Sequence, residues 1–422
     1  MALYAFDGTW NEGEAELEFD TNVKKFVEAY RGNGKTAEYI EGVGTRFGAV
    51  GRALGGVFGL GGRTRIEEMY EKLEANWNGG DQEIDIIGFS RGAALAVHFA
   101  NVIDSEGIPG ANRNDVQVRF LGLWDVVGSF GIPINFVLKF QETDLGYDLQ
   151  TPDSVLSCFH AMALNERRQA FNVTRQDRGN ARHNVEELWF RGVHSDVGGG
   201  NGNTALSNIS LQWMMENAIE KGLPLQPGDI DVHRETDNRV PLSENFDPIE
   251  NDKRVTYATD RYHPTARGVK LEVGESASFT VLAEEQYSWT GVRVDAGEFY
   301  AFEIAADQEW KDGDIKCGPD GWESERLPWY KEEIVELLEW RRRCPQANWF
   351  ELVGSIGDNE ENFFRIGKGG RDATYRCVAS GELFAFPNDL RTMYGNNHGA
   401  IKVTLTRMAE AGGRSLKGCS EE

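Results

Sequence analysis

The chain's strongest chemical signal is Ile84-Asp85-Ile86-Ile87-Gly88-Phe89-Ser90-Arg91-Gly92-Ala93-Ala94. A short apolar run ends in G-x-S-x-G, and a small-residue helical pattern follows at once. A strand, a tight turn and a helix in that order hold a serine in a strained conformation with its hydroxyl raised above the sheet edge. Cβ atoms at Gly88 and Gly92 would collide there with the neighbouring strand and helix. The helix opening at Arg91 aims its N-terminal partial positive charge at the reacting centre. With 49 glycines in 422 residues the bare pattern arises easily by chance, so the flanking strand and helix carry the reading. The competing reading is a Gly-rich turn with a solvated serine.

A serine nucleophile needs a base and an orienting acid, in chain order Ser, then Asp or Glu, then His. Of the 7 histidines, His160 and His194 lie beyond Ser90 in apolar-flanked positions of the first half. His194 sits where the strand-like run Leu188-Trp189-Phe190 opens into the Gly-rich Val193-His194-Ser195-Asp196-Val197-Gly198-Gly199-Gly200, at the loop mouth a general base requires. His160, in Ser157-Cys158-Phe159-His160-Ala161-Met162-Ala163-Leu164, reads as helical and packed behind the site. For the acid, Asp125 ends the apolar run Phe120-Leu121-Gly122-Leu123-Trp124. A carboxylate there is costly unless paired, and a histidine would supply the pairing. A structural Asp capping the next turn is the alternative. Asp196 competes as the acid, but two residues from His194 it is poorly placed to reach its neighbour's ring.

These residues need elements to position them. Glu67 to Trp77 and Leu211 to Ala218 carry helical apolar spacing, and they alternate with strand-like runs through the first half. That alternation predicts an α/β fold with a doubly wound, mostly parallel sheet. Two apolar loops break it, Phe47 to Gly62 and Ser129 to Phe140. They read either as rims for a fatty chain or as loops packed on the core or a partner. From about Gly268 the pattern changes to short alternating strands: Gly274 to Leu282, Gly297 to Ile304, Phe350 to Ile356 and Gly381 to Phe386. Regular spacing with Gly, Asp and Asn turns predicts an all-β sandwich. Trp329 to Arg343, WYKEEIVELLEWRRR, interrupts it as an amphipathic helical insert. The expected division is 1–266, 267–407 and a flexible tail 408–422.

Composition fits a large soluble enzyme. Hydrophobic residues make up 40% and aromatics 11%, ample for packed cores. A formal charge of −24 argues against nucleic acid and against electrostatic docking on an anionic membrane. No run approaches the ~20 apolar residues of a transmembrane helix. The opening Met1-Ala2-Leu3-Tyr4-Ala5-Phe6-Asp7 reads as a first strand rather than a signal peptide. The five cysteines, Cys158, Cys317, Cys344, Cys377 and Cys419, are odd in number, scattered and without C-x-x-C. They predict reduced thiols rather than a disulfide framework.

Tyr4-Ala5-Phe6-Asp7-Gly8-Thr9-Trp10-Asn11, Glu41-Gly42-Val43-Gly44-Thr45, GFSRGA, LGLWDVVGS, Ala163-Leu164-Asn165-Glu166-Arg167-Arg168 and GVHSDVGGG occur in one order. Over roughly residues 1–265 the chain resembles the bacterial α/β-hydrolase family whose best-known members are phospholipase effectors of type VI secretion. The resemblance implies a triad, and the matching positions are Ser90, Asp125 and His194. It also implies that Asp7-Gly8-Thr9 borders the active site, with backbone N–H groups near Gly8 or Thr9 and that of Arg91 as oxyanion donors. No cofactor is expected for catalysis.

A second constellation lies at Pro387-Asn388-Asp389-Leu390-Arg391-Thr392-Met393-Tyr394-Gly395-Asn396-Asn397-His398-Gly399. One carboxylate and two Asn amides on a loop are hard oxygen ligands of the kind calcium prefers. From about 270 to 407, and most sharply over 386–405, the chain resembles the calcium-dependent galactose-binding lectins of bacteria. The resemblance implies side-chain ligands from Asp389, Asn396 and Asn397, a backbone carbonyl from Met393, and a further one near Asp312-Gly313. Met393 stands where the family has Thr, and the helical insert replaces the sugar-contacting loop. The alternative is a metal-free, hydrogen-bonded Asn-Gly turn.

The expectation is a serine hydrolase cleaving carboxylic esters, a phospholipase or lipid esterase, with a lectin-like targeting domain. Its partners would be a lipid or other ester, and a glycan or the secretion apparatus. It would be made in the bacterial cytoplasm without a signal peptide and exported by a type VI system. The alternative is a catalytically silent scaffold whose sandwich binds glycan or protein.

Overall fold

The computed structural model describes residues 1–8, 19–41, 57–128, 148–176, 184–243, 254–323 and 338–419. The chain divides into two units, Met1–Ala266 and Arg267–Glu422.

The first unit is built on six strands: β1 (Ala2–Phe6), β2 (Thr36–Ile40), β3 (Ile84–Phe89), β4 (Val118–Trp124), β5 (Cys158–Ala163) and β6 (Val185–Phe190). They form one sheet in the order β2-β1-β3-β4-β5-β6, and every pairing is parallel. Its helices are α1 (Asn22–Gly32), α2 (Val57–Asn78), α3 (Ser90–Glu106), α4 (His194–Gly198), α5 (Thr204–Glu220) and α6 (Pro227–Asp231). Strand alternation feeds two cores, one on each face. Tyr4, Phe6, Ile84, Ile86, Leu121 and Leu123 pack with α2 and α3 residues such as Met69, Leu73 and Phe99. Leu3, Ala5, Ile87, Phe120 and Trp124 pack with Phe26 and Tyr30 of α1 and Leu211 and Met214 of α5. This is the α/β-hydrolase type of fold, with a parallel sheet covered on both faces.

Two readings of this half need correction. Cys158–Ala163, with His160 at its centre, is the buried strand β5 and not a helix. A parallel strand covered on both faces loses the alternation that marks a strand, so its short apolar run imitates a helix. The apolar stretch at Phe47 to Gly62 is not all loop, because α2 begins at Val57. Residues 47–56 of that stretch, and the other apolar loop from Ser129 to Phe140, lie outside the described residues.

The second unit is a sandwich. Its strands are β7 (Ser276–Leu282), β8 (Ser288–Val294), β9 (Phe299–Ile304), β10 (Trp310–Asp312), β11 (Ile315–Cys317), β12 (Leu352–Ile356), β13 (Phe363–Arg365), β14 (Gly369–Arg376), β15 (Gly381–Pro387), β16 (Asn397–Met408) and β17 (Arg414–Ser415). One sheet runs β11-β10-β16-β9-β14-β17 with β7 also on β16, and the other runs β13-β12-β15-β8. Phe279, Val281, Tyr300, Phe302, Leu352, Phe364, Leu383 and Val403 fill the space between them. Residues 408–419 do not form a free tail. β17 pairs with β14, Leu416 is buried, and Cys419 is disulfide-bonded to Cys344. That bond corrects the expectation of reduced thiols throughout; Cys158, Cys317 and Cys377 are free and buried. Of the expected helical insert, Trp329 to Arg343, residues 329–337 lie outside the described residues, and Glu339–Arg341 forms a single 3-10 turn. Among the described residues no helix is long and apolar enough to cross a membrane.

Candidate active site

Four strand ends meet at the carboxyl edge of the parallel sheet, where α/β proteins place their sites. β3 passes into α3 at Ser90, whose φ is 60°, the left-handed conformation a non-glycine residue adopts only under constraint. The constraint is steric. A Cβ on Gly88 would lie 2.7 Å from Ala93 Cα, and one on Gly92 would lie 2.4 Å from the carbonyl oxygens of Phe6 and Asp7. Glycine at both positions lets α3 seat directly on the ends of β1 and β3. Asp125, just past β4, is also left-handed, with φ 45°. Its N–H donates to Ala161 O, and the Val127 N–H donates to Ser90 O, so the two strained turns brace each other.

His194 opens α4 after β6 and spans the gap. Its Nε2 lies 2.8 Å from Ser90 Oγ and its Nδ1 lies 2.5 Å from Asp125 Oδ2. With Nδ1–H donated to the carboxylate, Nε2 presents its lone pair to the serine hydroxyl. Phe89 stacks on the imidazole at 4.6 Å and Phe171 meets it edge-on at 4.8 Å. Gly198 leaves room for that stacking, since a Cβ there would fall 1.9 Å from the Phe89 ring. The His194 N–H donates to Glu166 Oε2. Glu166 in turn accepts from Arg168, whose guanidinium lies over Phe171.

Asp125 is fully buried, which by itself would push its carboxyl up. The Arg254 charge and the hydrogen bonds from His194 and Arg254 overcome that and hold it well below the usual carboxylate range. Arg254 grips both oxygens, Nη1 at 2.5 Å from Oδ1 and Nη2 at 2.8 Å from Oδ2. Sequence reasoning missed this residue. It lies 129 positions from Asp125, in a stretch with no motif or apolar period to mark it. The roles of Glu166 and Phe171 were missed as well. Asn165-Glu166-Arg167-Arg168 carried a resemblance, but nothing in it tied the Glu166 carboxylate to the His194 backbone.

Asp7 is buried at the end of β1, where its carboxylate accepts from Thr21 Oγ1, the Tyr39 hydroxyl and its neighbour's N–H at Gly8. Burial pushes its carboxyl up despite those bonds. Gly8 lies against the nucleophile, its Cβ direction 3.3 Å from Ser90 Cβ, but its N–H is committed to Asp7 rather than open to an oxyanion. Thr9 lies outside the described residues. Arg91 follows Ser90 in the first turn of α3, and burial lowers its guanidinium to about 10. Asp196 does not reach the imidazole; it accepts from Val193 N, Ser243 N and Oγ, Asn201 and Asn203. His160 sits behind the site, accepting from Val126 N–H and paired with Glu187.

In the second unit, Asp389, Asn396 and Asn397 come together. Asp389 accepts from Leu390 N–H and from Asn397 Nδ2. The side-chain oxygens Asn396 Oδ1 and Asn397 Oδ1 are buried with no hydrogen-bond partner. Asp312 faces this group. Burial and the Asp389 charge raise it to about 6, against hydrogen bonds from Trp322 and Asn396. The Met393 side chain is exposed, and its carbonyl accepts weakly from Asn396 N–H at 3.4 Å.

The family model for the catalytic domain of Tle1-like phospholipase effectors of the type VI secretion system (T6SS) matches residues 3–112 and 109–217, together half of the chain. The chain belongs to this family. Among curated proteins no relative matches. Similar solved structures include an uncharacterized protein from Pseudomonas aeruginosa, at 21% identity and TM-score 0.36, covering 56% of this chain and 48% of that one. The chain thus spans about half the length of that relative. The Tle1 effector bound to the VgrG spike is 17% identical with a TM-score of 0.33, covering 97% of this chain and 69% of that one. The EclA N-terminal domain, a PllA-like lectin, is 21% identical with a TM-score of 0.23, covering 31% of this chain and 95% of the lectin.

Proposed function

We propose that the first unit is a serine esterase that cleaves a carboxylic ester of a phospholipid through an acyl-enzyme. The observation that carries this reading is the hydrogen-bonded line from Ser90 Oγ through His194 to Asp125 at the sheet's carboxyl edge. Ser90 Oγ attacks the ester carbonyl as its proton passes to His194 Nε2. Asp125 holds the imidazole in register and stabilises the imidazolium. In this reading the N–H of Arg91, in the first turn of α3, donates to the developing oxyanion, and the helix dipole adds to it. The imidazolium then protonates the departing alcohol. Water, deprotonated by His194, releases the fatty acid and restores Ser90. Membership of the effector family supports phospholipid as the substrate and the secretion apparatus as a partner.

The second unit supplies targeting in this reading, and its Asp389 loop holds calcium. The two orphaned Asn oxygens support this, because buried acceptors without donors are costly and a hard cation satisfies them. Asp389, Asn396 and Asn397 would ligate through side-chain oxygens and Met393 through its carbonyl. The Asp312 carboxylate stands close enough to add its charge. A bound calcium would fix the loop; it takes no part in ester cleavage.

Labelling with a fluorophosphonate tests the nucleophile, and mass spectrometry of a phospholipid extract after incubation identifies the product. Wild type should be labelled and should release fatty acid, and Ser90→Ala should do neither, with a rate loss of about 10⁴-fold or more. A Ser90→Ala protein keeping over about a tenth of wild-type turnover sinks the assignment, because triad losses are far larger. An unlabelled wild type would favour the silent scaffold.

A further inference from the structure

We propose that Arg254 is a positioning residue that sets the proton affinity of the Asp125–His194 pair, acting through Asp125 and not on the ester. This rests on the triad reading above. The guanidinium fork takes both carboxylate oxygens, and its remaining hydrogen bonds run to Ala163 O at 2.7 Å and Phe171 O at 2.5 Å. It is therefore fixed to the end of β5 and to the segment that carries the Phe171 ring against His194. Asp125 Oδ1 also accepts from Ala163 N–H, and Oδ2 from His194. Each oxygen thus has two donors, and Arg254 supplies one of each pair. The Arg254 side chain is 3% exposed and that of Asp125 0%, so the charge acts with little screening by water.

Removing Arg254 leaves a buried carboxylate facing only an imidazole and a backbone N–H. Such a charge is relieved by taking up a proton, and the proton can settle on Asp125 or on His194. Either form is inactive, because catalysis needs Asp125 anionic and Nε2 free. The pair titrates as a unit, and its affinity for the first proton rises whichever site holds it. Arg254 thus extends the active form to lower pH. The other charged groups around the pair are differently engaged. Glu166 takes the His194 N–H and is held by Arg168. Asp196 is turned to Val193 and Ser243. Asp7 is held by Thr21 and Tyr39. Arg91 follows Ser90 on α3. The His160–Glu187–Arg175 chain lies behind Val126. Among the described residues, the Asp125 carboxylate accepts from the Ala163 N–H, from His194 and, as its guanidinium partner, from Arg254.

The test is the pH dependence of Ser90 labelling by a fluorophosphonate, which needs His194 deprotonated but no knowledge of the natural ester. Wild type, Arg254→Met and Arg254→Lys are compared, with thermal melting to confirm folding. The Met variant should move the acidic half-point up by about one unit or more, the size of a nearby charge on a buried carboxylate. The Lys variant keeps the charge but loses the fork. Its half-point should stay at the wild-type value while its plateau rate falls about tenfold. A folded Met variant with an unmoved half-point overturns the proposal, as does a Lys variant with the wild-type plateau. The second readout stands even where the Met variant does not fold. Ser90→Ala separates the two claims. If it abolishes labelling while the Met half-point stays put, only the role of Arg254 fails. If it retains labelling, the triad reading itself fails.

Discussion

The contact between α3 and the end of β1 yields a prediction whose size follows from the geometry. Gly92→Ala would set a Cβ 2.4 Å from Phe6 O, 2.4 Å from Asp7 O and 2.7 Å from Asp7 C. All three are backbone atoms and none can rotate aside. Reaching the 3.0 Å floor of real Cβ contacts requires a retreat of about 0.6 Å from each oxygen. β1 is poorly able to give way. It is paired on one side with β2 and on the other with β3, and Phe6 packs on Phe99 of α3 itself. Asp7 is tied to Thr21, Tyr39 and Gly8. The alternative is for α3 to lift, and Ser90 is two residues upstream of the new methyl.

Overpacking of this kind costs about 1–3 kcal/mol, and with backbone on both sides the upper half of that range applies. For a unit of this size, about 2–3 kcal/mol is a fall of about 5–10 °C in Tm. A displacement of this order at the nucleophile should lower the labelling rate of Ser90 by about tenfold or more. Calorimetry and fluorophosphonate labelling read the two effects on one sample. Gly32→Ala is the control. It closes α1 with no atom within 4 Å of the added methyl, and should be neutral or stabilising by up to about 1 kcal/mol. A Gly92→Ala protein that melts and labels like wild type would refute the close seating of α3 on β1, and with it this account of the elbow.

Asp125→Asn should remove most ester hydrolysis, measured with a soluble short-chain ester, whereas Asp196→Asn should cost less in rate than in Tm; the reverse order would move the orienting role to Asp196. Asp125, Glu166 and Glu187 are held below their ordinary values, so the stability they contribute is present above about pH 4 and lost as pH falls toward their folded values. Asp7 and Asp85 are pushed up by burial and act with the opposite sign, their contribution present below about pH 4 and lost as pH rises through their folded values. Melting curves across the acid range should therefore show a net acid loss that Asp125→Asn flattens; an unchanged slope would mean Asp125 is not ion-paired in solution. Added calcium should raise the Tm of wild type by mass action, and Asp389→Ala should abolish the increment without slowing cleavage of a soluble ester; no shift in wild type would leave the loop a metal-free turn.

How much of the site could be read from the chain depended on how far apart in sequence its parts lie. The elbow was legible because strand, glycines, serine and helix are contiguous, and the φ of 60° at Ser90 is the conformation such a turn imposes. Asp125 and His194 were legible because each interrupts an apolar run at its end, where a polar side chain needs a partner. His160 was misread because β5 is buried on both faces and so carries no alternation. The tail was misread because its anchors are remote: β17 pairs back to β14, and Cys419 reaches Cys344 across 75 residues. Arg254 shows the limit most clearly. An ion pair between distant residues leaves no period, spacing or composition in either neighbourhood, and Arg254 sits in an unremarkable polar stretch. Yet the buried Asp125 already demanded compensation, and a neutral imidazole supplies no charge. The sequence therefore posed a question it could not answer: which cation balances the acid. The fold answers it by bringing Arg254 to the carboxyl edge, where strand ends as far apart in the chain as Phe6 and Phe190 converge.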